Sequence, residues 1–211
     1  MKKIKKLIIA CDGESASGKS TAAKLISRKY GLLLINSGLL YRYASKLIIE
    51  NDPKNSVSYI DSKLKKISYK KIAKHNLHSE RISKHVAELA KNKKIRIIIN
   101  NFQKKIIKTN NRICVEGRDI ASKILVKNPK YDIAFYFRCN LNTASYRRWL
   151  DIKKKVPLKE VKRSLSKRTQ MDKKRKNSPL IKVKDAILIR TDKLSKKQVL
   201  SKMSKYIEKL N

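Results

Sequence analysis

The placement of glycine constrains this chain more than any other feature. Only five glycines occur in 211 residues, and two of them frame the segment G-E-S-A-S-G-K-S, from Gly13 to Ser20. This segment fulfils the pattern G-x-x-x-x-G-K-[ST], in which a turn joins a strand to a helix and its backbone N–H groups surround a phosphate. A short apolar run precedes the segment and a helical pattern follows it. The sequence therefore predicts a phosphate cradle close to the N-terminus.

The residues of this motif have distinct expected tasks. Lys19 is placed to reach the β- and γ-phosphates of a nucleotide, and Ser20 is placed to ligate Mg²⁺. Thr21 adds a hydroxyl near the α-phosphate. We therefore expect Mg²⁺ at Ser20 and ATP at the following residues: Gly13, Glu14, Ser15, Ala16, Ser17, Gly18, Lys19, Ser20 and Thr21. A chance match is the alternative, and the strand–turn–helix context argues against it.

Short apolar segments alternate with helical patterns along the chain. Strands are predicted at Ile4 to Ala10, Leu32 to Ile35, Ile113 to Glu116, Asp132 to Arg138 and Ala186 to Ile189. Helices are predicted from Gly18 to Tyr30, Ser37 to about Asn51, about Glu80 to Lys108 with a break near Asn92, Asn142 to about Ile152, Leu158 to Lys176, and Ser195 to Leu210. This alternation predicts an α/β fold with a parallel five-stranded sheet flanked by helices.

Local signals place several helix ends. Gly31 is predicted to cap the first helix and Ser37 to cap the second. Ser195 and Gln198 are predicted to form a capping box at the last helix. Its core face is predicted to carry Val199, Met203, Ile207 and Leu210. Residues 53–79 are polar, lysine-rich and weakly patterned, and we interpret them as an insert.

The net charge of +39 predicts salt-sensitive, non-specific binding of polyanions. Contact with RNA is one interpretation, and a diffuse lysine background without a specific partner is the other. Only 13 of the 55 basic residues are arginines, and the lysines are spread over the whole chain. Several arginines fall within motifs instead, which favours the second interpretation.

Three cysteines, Cys11, Cys114 and Cys139, lie in or beside apolar runs, which favours reduced thiols in the cytoplasm. The apolar run from Leu7 to Cys11 is too short for a secretory signal, and no run approaches the length of a membrane span. We expect a cytoplasmic monomer without a membrane partner. His75, His78 and His85 are scattered in a polar region and receive no ligand role.

Three further segments follow predicted strands or end a predicted helix. N-S-G-L-L-Y-R ends at Arg42, E-G-R-D spans Glu116 to Asp119, and the helix from Leu158 carries Arg168, Asp172 and Arg175. Ligands of α/β sheets bind beyond the carboxyl ends of the strands, so these segments predict a second anion site beside the first. A plain serine cap, a surface Arg–Asp pair and a solvated helix face are the respective alternatives.

With these four motifs in this order, the chain resembles the bacterial cytidylate kinases, a family of nucleoside monophosphate kinases. Supporting segments are I-I-A-C-D-G-E-S-A-S-G-K-S-T, from Ile8 to Thr21, and K-D-A-I-L-I near the end of the chain. The resemblance covers essentially the whole chain. It implies transfer of a phosphoryl group from MgATP to CMP or dCMP.

The resemblance also implies residue roles. Ser37 and Arg42 would hold the acceptor nucleotide, and Asp172 would meet its ribose. Three arginines would surround its phosphate and the group in transfer, with catalytic roles shared by Lys19: Arg118, Arg168 and Arg175. Base-reading residues would be Arg96 and Asp119. Arg147 and Arg148 resemble arginines of a lid that closes over ATP.

The chemistry of cytosine agrees with this base assignment. Its amino group can donate to Asp119, and its ring acceptors can receive a hydrogen bond from Arg96. Uracil presents a carbonyl where cytosine has the amino group, and leaving a buried polar group unpaired costs roughly 1–3 kcal/mol. We therefore expect CMP to be preferred over UMP.

The domain organisation implied by the resemblance is a single P-loop kinase domain over residues 1–211. Its core would comprise about 1–36, 109–147 and 177–211, with a nucleoside-monophosphate-binding region at about 37–108 and a lid at about 148–160 that leads into the helix 158–176. The insert of the family is normally a small three-stranded sheet, and here it is shortened.

Four positions depart from the family pattern: Asn36, Ala87, Glu116 and Arg190. Asn36 and Glu116 each replace an aspartate, and Ala87 replaces a serine that helps to recognise the base. Two alternatives to a cytidylate kinase are another P-loop small-molecule kinase, for UMP or a nucleoside, and a basic P-loop-derived RNA-binding protein. A nucleoside kinase would not need Arg42 and Arg175 for an acceptor phosphate.

Overall fold

A computed structural model of the protein describes residues 5–77 and 79–210. The predicted start of the first strand at Ile4, and His78, lie outside these residues. The chain forms two compact units. The first, called the core unit, comprises residues up to Ile35 and from Asn110 onward, and the second, called the helical unit, is Asn36–Thr109.

The sheet has five strands: β1 (Leu7–Gly13), β2 (Leu33–Asn36), β3 (Arg112–Gly117), β4 (Ile133–Arg138) and β5 (Ile187–Arg190). Their order is β2-β3-β1-β4-β5. β1 is central and pairs in parallel with both β3 and β4, and β4 pairs in parallel with β5. The predicted α/β class with a five-stranded parallel sheet is confirmed, and the carboxyl ends of β1, β3, β4 and β5 meet at one edge.

Helices connect the strands. They are α1 (Lys19–Tyr30), α2 (Ser37–Asn51), α3 (Ser56–Lys65), α4 (Tyr69–Ile72), α5 (Glu80–Leu89), α6 (Lys93–Lys108), α7 (Leu141–Asp151), α8 (Leu158–Lys174) and α9 (Lys196–Ile207). A single π-helical turn, Ile120–Ile124, follows β3 and was not expected from the sequence. A 3₁₀ turn, Glu208–Leu210, follows α9.

The core unit is built around β1, all of whose residues are buried. Apolar residues of α1 and α9 pack against the same cluster as Leu7, Ile9 and Phe135. The predicted core face of α9 holds for Val199, Met203 and Ile207. It is wrong for Leu210, which is 44% exposed because α9 ends at Ile207 and the chain then tightens into the 3₁₀ turn.

The helical unit has its own apolar core, formed by residues of α2, α3, α5 and α6. The segment interpreted as an unpatterned insert contains α3 and α4, and its Ile60, Leu64 and Ile72 are buried. Within residues 36–77 and 79–109 only Asn36, the last residue of β2, is in a strand. The lysines between the apolar positions concealed this helical spacing in the sequence.

Helix ends follow the predicted chemistry with two corrections. Gly31 caps α1 with φ 60° and ψ 48°, and the Ser195–Gln198 capping box is present in both directions. The cap of α2 is Asn36 and not Ser37, because the Asn36 side chain accepts a hydrogen bond from the Leu39 N–H. α8 ends at Lys174, so Arg175 lies just beyond the helix in extended backbone, whereas the sequence placed it within the helix.

The three cysteines are free and buried, as predicted. Cys11 and Cys114 lie on the neighbouring strands β1 and β3, with their sulfur atoms 3.8 Å apart. Their hydrogen bond and complete burial raise the pKa of the Cys11 thiol. Among the described residues, no helix combines the length and the apolar character needed to cross a membrane.

Candidate active site

The phosphate cradle follows β1 at the carboxyl edge of the sheet. A Cβ atom on Gly13 would lie 2.4 Å from the carbonyl oxygen of Phe137 on β4, so only glycine lets the two strands approach here. Gly18 closes the turn with φ 78°, a left-handed conformation that glycine adopts without steric cost. α1 begins at Lys19, so its N-terminal N–H groups point into the turn.

Neighbouring strands hold the turn in place. The Glu14 N–H donates to the Phe137 carbonyl at 3.1 Å, and the Ser17 hydroxyl donates to the Glu14 carbonyl at 2.9 Å. After β5, the Thr191 hydroxyl donates to the Ser17 carbonyl at 2.9 Å. The backbone of the cradle is thereby preorganised by β4 and by the loop after β5.

Glu116 binds both Lys19 and Ser20, the motif residues expected to contact the phosphates and the metal. Its Oε2 accepts a hydrogen bond from the Lys19 ammonium at 2.9 Å and from the Ser20 hydroxyl at 2.7 Å. Both Glu116 and Lys19 are buried, so the charges compensate each other in a medium of low dielectric. The sequence marked Glu116 only as a departure from the family. Its position at the carboxyl end of β3, beside β1, was the available signal.

Ser20 and Glu116 together suit a magnesium ion. Mg²⁺ prefers oxygen ligands, and the Ser20 hydroxyl and the Glu116 carboxylate present oxygens side by side. Thr21, the next residue of α1, is exposed. The oxygen donor set therefore fits the metal expected from the motif.

Arg118 connects the E-G-R-D segment to the cradle. Its Nη1 donates to the Gly13 carbonyl at 2.7 Å and its Nη2 donates to the Ser15 hydroxyl at 3.1 Å. Its Nε donates to Asp172 of α8 at 2.8 Å. One guanidinium therefore ties β1, β3 and α8 together at the mouth of the cradle.

The end of α8 adds more charged groups to this edge. Arg175 lies 3.5 Å from the Asp172 carboxylate and 3.6 Å from that of Asp119. Arg168 is partly buried on α8, one turn before Asp172. Within the core unit the structure thus brings Arg118, Asp119, Asp172 and Arg175 into one ion-pair network beside the cradle. That this network forms a second anion site stays a prediction.

A further ion pair links the cradle directly to α8. The Glu14 carboxylate accepts a hydrogen bond from the Lys173 ammonium at 2.7 Å, next to the contact of Arg118 with Asp172. A cleft of about 380 Å³ opens beside this pair. Its walls include Glu14, Ser15, Arg138, Thr169 and Arg190, from the cradle, β4, α8 and β5.

The two arginines compared with a lid occupy different environments. Arg147 of α7 donates from Nη2 to the carbonyls of Thr191 and Asp192, at 2.9 and 3.2 Å, in the loop after β5. Arg148 is exposed on the same helix. Arg147 is therefore bound to a fixed loop, and only Arg148 extends into solvent.

The remaining acceptor candidates belong to the helical unit. Arg42 donates from Nη1 to the Leu77 carbonyl at 3.0 Å and to the Ser83 hydroxyl at 2.9 Å. Arg96 is buried, donates to the Ala90 carbonyl at 3.2 Å, and lies over the Tyr41 ring. Ser37 is the buried first residue of α2.

Asp12 is a second residue that motif analysis missed. It is buried, and its two carboxylate oxygens accept hydrogen bonds from the backbone N–H groups of Ile120 and Ala121, each at 2.8 Å. Burial raises its pKa to about 6, although these two hydrogen bonds act in the opposite direction. The sequence signal that could have identified Asp12 is its position directly before Gly13, the first residue of the cradle.

Comparison with known proteins places the chain in a family. A sequence model described as cytidylate kinase matches residues 9–209. The chain belongs to the cytidylate kinase family. A cytidylate kinase of Fusobacterium nucleatum is 31% identical to it, with 97% of this chain and 98% of that protein covered. One of Rickettsia akari is 30% identical, with 97% and 93% covered.

Solved structures with the same fold are more distant in sequence. An uncharacterised protein from Eubacterium ventriosum matches with a TM-score of 0.60 and 21% identity, covering 96% of this chain and 99% of that one. A shikimate kinase from Bacteroides thetaiotaomicron matches with a TM-score of 0.51 and 12% identity, covering 97% and 98%. At these identities the likeness concerns the fold alone.

Proposed function

We propose that this protein transfers the γ-phosphoryl group of ATP to CMP or dCMP, giving CDP or dCDP and ADP. Family membership supports this assignment, and one contact set carries it: Arg118 binds the Gly13 carbonyl, the Ser15 hydroxyl and Asp172. An arginine shared by the cradle and the charged end of α8 suits a reaction in which a phosphoryl group leaves one anion site for another.

On the donor side, we assign the cradle from Gly13 to Thr21 to the triphosphate of ATP. Lys19 would leave Glu116 to reach the β- and γ-phosphates, and Ser20 and Glu116 would hold Mg²⁺ directly or through its water. The metal would supply neutralisation of the charge that develops on the phosphoryl oxygens. Arg147 and Arg148 are assigned to ATP as well, with residues 148–160 acting as the lid.

On the acceptor side, we assign the phosphate of CMP to Arg118, Arg168 and Arg175, and its ribose to Asp172. In the helical unit, which we propose to be the nucleoside-monophosphate-binding region, Ser37, Arg42 and Arg96 are acceptor ligands. Asp119 and Arg96 are the proposed residues that recognise cytosine. A carboxylate opposite the amino group favours cytosine over uracil by roughly 1–3 kcal/mol.

The proposed chemistry needs no covalent intermediate. Holding the two nucleotides in line and neutralising the developing charge accounts for most of the rate enhancement of such kinases. Exclusion of water is the remaining requirement, because hydrolysis of ATP competes with transfer.

We propose that the enzyme works in the cytoplasm, because its three cysteines are unpaired and buried, as expected in a reducing compartment. We further propose that it acts as a monomer and that its net charge of +39 gives salt-sensitive, non-specific contact with RNA.

The test is the formation of ADP from MgATP with CMP, dCMP, UMP, AMP, GMP or cytidine as the acceptor. We expect turnover with CMP and dCMP, at least about fivefold slower turnover with UMP, and none with cytidine. Inactivity with every monophosphate would remove the kinase assignment. A preference for UMP would contradict the roles of Asp119 and Arg96. Asp119→Ala should reduce the ratio of turnover with CMP to turnover with UMP.

A further inference from the structure

Asp12 occupies an unusual place for a carboxylate. It lies within the central strand β1, all of whose residues are buried, and is 3% exposed. A buried charge is costly unless hydrogen bonds compensate it. Here the compensation comes from two backbone N–H groups at 2.8 Å, one to each carboxylate oxygen.

The two N–H groups belong to the start of the π-helical turn Ile120–Ile124, directly after Arg118 and Asp119. The first N–H groups of any helical turn lack partners within the turn, and a side chain just before it usually provides an acceptor. The Asp119 side chain does not cap this turn. Asp12, from the neighbouring strand, supplies the acceptor instead.

A second tie runs in the opposite direction between the same two segments. Arg118 reaches from the end of β3 to the Gly13 carbonyl, one residue after Asp12. Asp12 lies opposite Gly117 in the pairing of β1 with β3. Asp12 therefore binds backbone N–H groups of the turn that follows E-G-R-D, and Arg118 binds the backbone carbonyl of the residue that follows Asp12.

We infer that Asp12 is a positioning residue, which fixes the direction in which Arg118 and Asp119 leave β3 by holding the N–H groups of Ile120 and Ala121. This role rests on the proposed function, because Arg118 and Asp119 are its proposed acceptor ligands. Asp12 itself is buried and is not one of the proposed nucleotide ligands. Its loss is expected to weaken CMP recognition while leaving the binding of ATP nearly intact.

Asp132 provides a matched control. Its carboxylate also accepts a hydrogen bond from a backbone N–H of β1, that of Ile8, at 2.7 Å. This contact lies near the amino end of β1, away from the cradle. Replacing either aspartate by asparagine keeps the size of the side chain but replaces one acceptor oxygen by an NH₂ group.

The experiment compares Asp12→Asn and Asp132→Asn with the wild type. We expect Asp12→Asn to raise the KM for CMP about tenfold and to reduce the preference for CMP over UMP by a similar factor, with the KM for ATP changed less than twofold. Asp132→Asn is expected to lower the melting temperature without altering these constants. Unchanged CMP constants in Asp12→Asn, or equal changes in both variants, would overturn the inference.

A second measurement does not depend on the reaction. Amide hydrogen exchange of the segment 118–124 should become faster in Asp12→Asn and remain unchanged in Asp132→Asn. If the wild type lacks CMP kinase activity and its segment 118–124 exchanges fast, both proposals are refuted. If the wild type lacks the activity but the segment is protected, and Asp12→Asn removes that protection, only the positioning role of Asp12 is supported. If Asp12→Asn does not fold, Asp12→Glu retains the charge but displaces it, and it should show the same exchange effect; wild-type exchange in Asp12→Glu would then refute the role.

Discussion

The core unit and the helical unit hold their candidate site residues in different ways. In the core unit, the charged side chains bind one another and the backbone of the cradle, as Arg118, Asp172 and Lys19 do. In the helical unit, Arg42 and Arg96 are held by carbonyl groups and a hydroxyl of their own unit. This difference agrees with the proposal that all the donor ligands and the acceptor-phosphate arginines lie in the core unit, whereas the helical unit contributes ligands of the acceptor alone.

The largest test of this difference is Lys19→Ala. Removing the ammonium should lower kcat by about a hundredfold or more, because the charge developing on the transferred group loses its buried cation. Steady-state ADP formation with CMP measures the effect. Lys24→Ala, an exposed lysine of the same helix, is the control and should behave as the wild type. Near-normal turnover of Lys19→Ala would end the comparison, because the core unit would then not carry the donor chemistry.

Arg42→Ala probes the helical unit. Loss of a charged hydrogen-bond donor should raise the KM for CMP roughly ten- to hundredfold, while the KM for ATP changes little. The exposed Arg81 of α5 offers a control substitution, Arg81→Ala. Equal increases in both KM values would show that the helical unit is not confined to recognition of the acceptor.

A pH titration tests the buried network of the core unit. The pKa of Asp12 is about 6 in the folded protein and 3.8 ordinarily, so the folded state binds its proton more tightly. Its contribution to the free energy of unfolding is therefore greatest at acid pH and is lost as the pH rises through 6. The groups that act on it include the carboxylate of Asp119 and the ammonium of Lys19.

Urea denaturation of the wild type and of Asp12→Asn measures this contribution. Between pH 5 and pH 7.5 the free energy of unfolding of the wild type should fall by about 1.4 kcal/mol relative to that of the variant, because Asp12 loses its proton in the folded state over this range. Parallel pH profiles would show that Asp12 titrates as it does in the unfolded chain.

The smallest predicted effect lies in the cradle itself. Ala16 adopts φ 55°, a conformation that costs a non-glycine residue on the order of 1 kcal/mol. Ala16→Gly should raise the free energy of unfolding by about 1 kcal/mol, whereas Ala87→Gly within α5 should lower it by a similar amount. Thermal or urea denaturation distinguishes the two signs. A destabilised Ala16→Gly would contradict the strain assigned to the cradle.

The core unit was far more predictable from sequence than the helical unit, for physical reasons. A phosphate cradle needs glycine where two backbones approach closely or the chain turns sharply, so Gly13 and Gly18 indicate the cradle in the sequence. The strands that support it are recognisable as short apolar runs. The helices α3 and α4 went unrecognised because lysines separate Ile60 from Leu64 and Ile72 in a segment with few apolar residues. Val57, Ile60 and Leu64 do recur at helical intervals of three and four residues, but the polar residues between them gave the segment the composition of a polar insert.

Within the site, motif spacing identified Arg118, Asp172 and Arg175 but not Asp12 and Glu116 as residues that hold the arrangement together. Arg118, Asp172 and Arg175 were predicted from their order and were found together. Asp12 of β1 binds the turn after β3, and Glu116 of β3 binds the start of α1, so each contact joins residues about a hundred positions apart in sequence. Such contacts depend on strand pairing, which local patterns do not reveal.

The most direct test of the division between the two units is the equilibrium binding of MgATP, in the absence of CMP, by calorimetric titration of the wild type, Lys19→Ala and Arg42→Ala. We predict that Arg42→Ala binds MgATP within twofold of the wild type and that Lys19→Ala binds it at least about tenfold more weakly. Wild-type affinity in Lys19→Ala, or loss of MgATP binding in Arg42→Ala, would contradict the account.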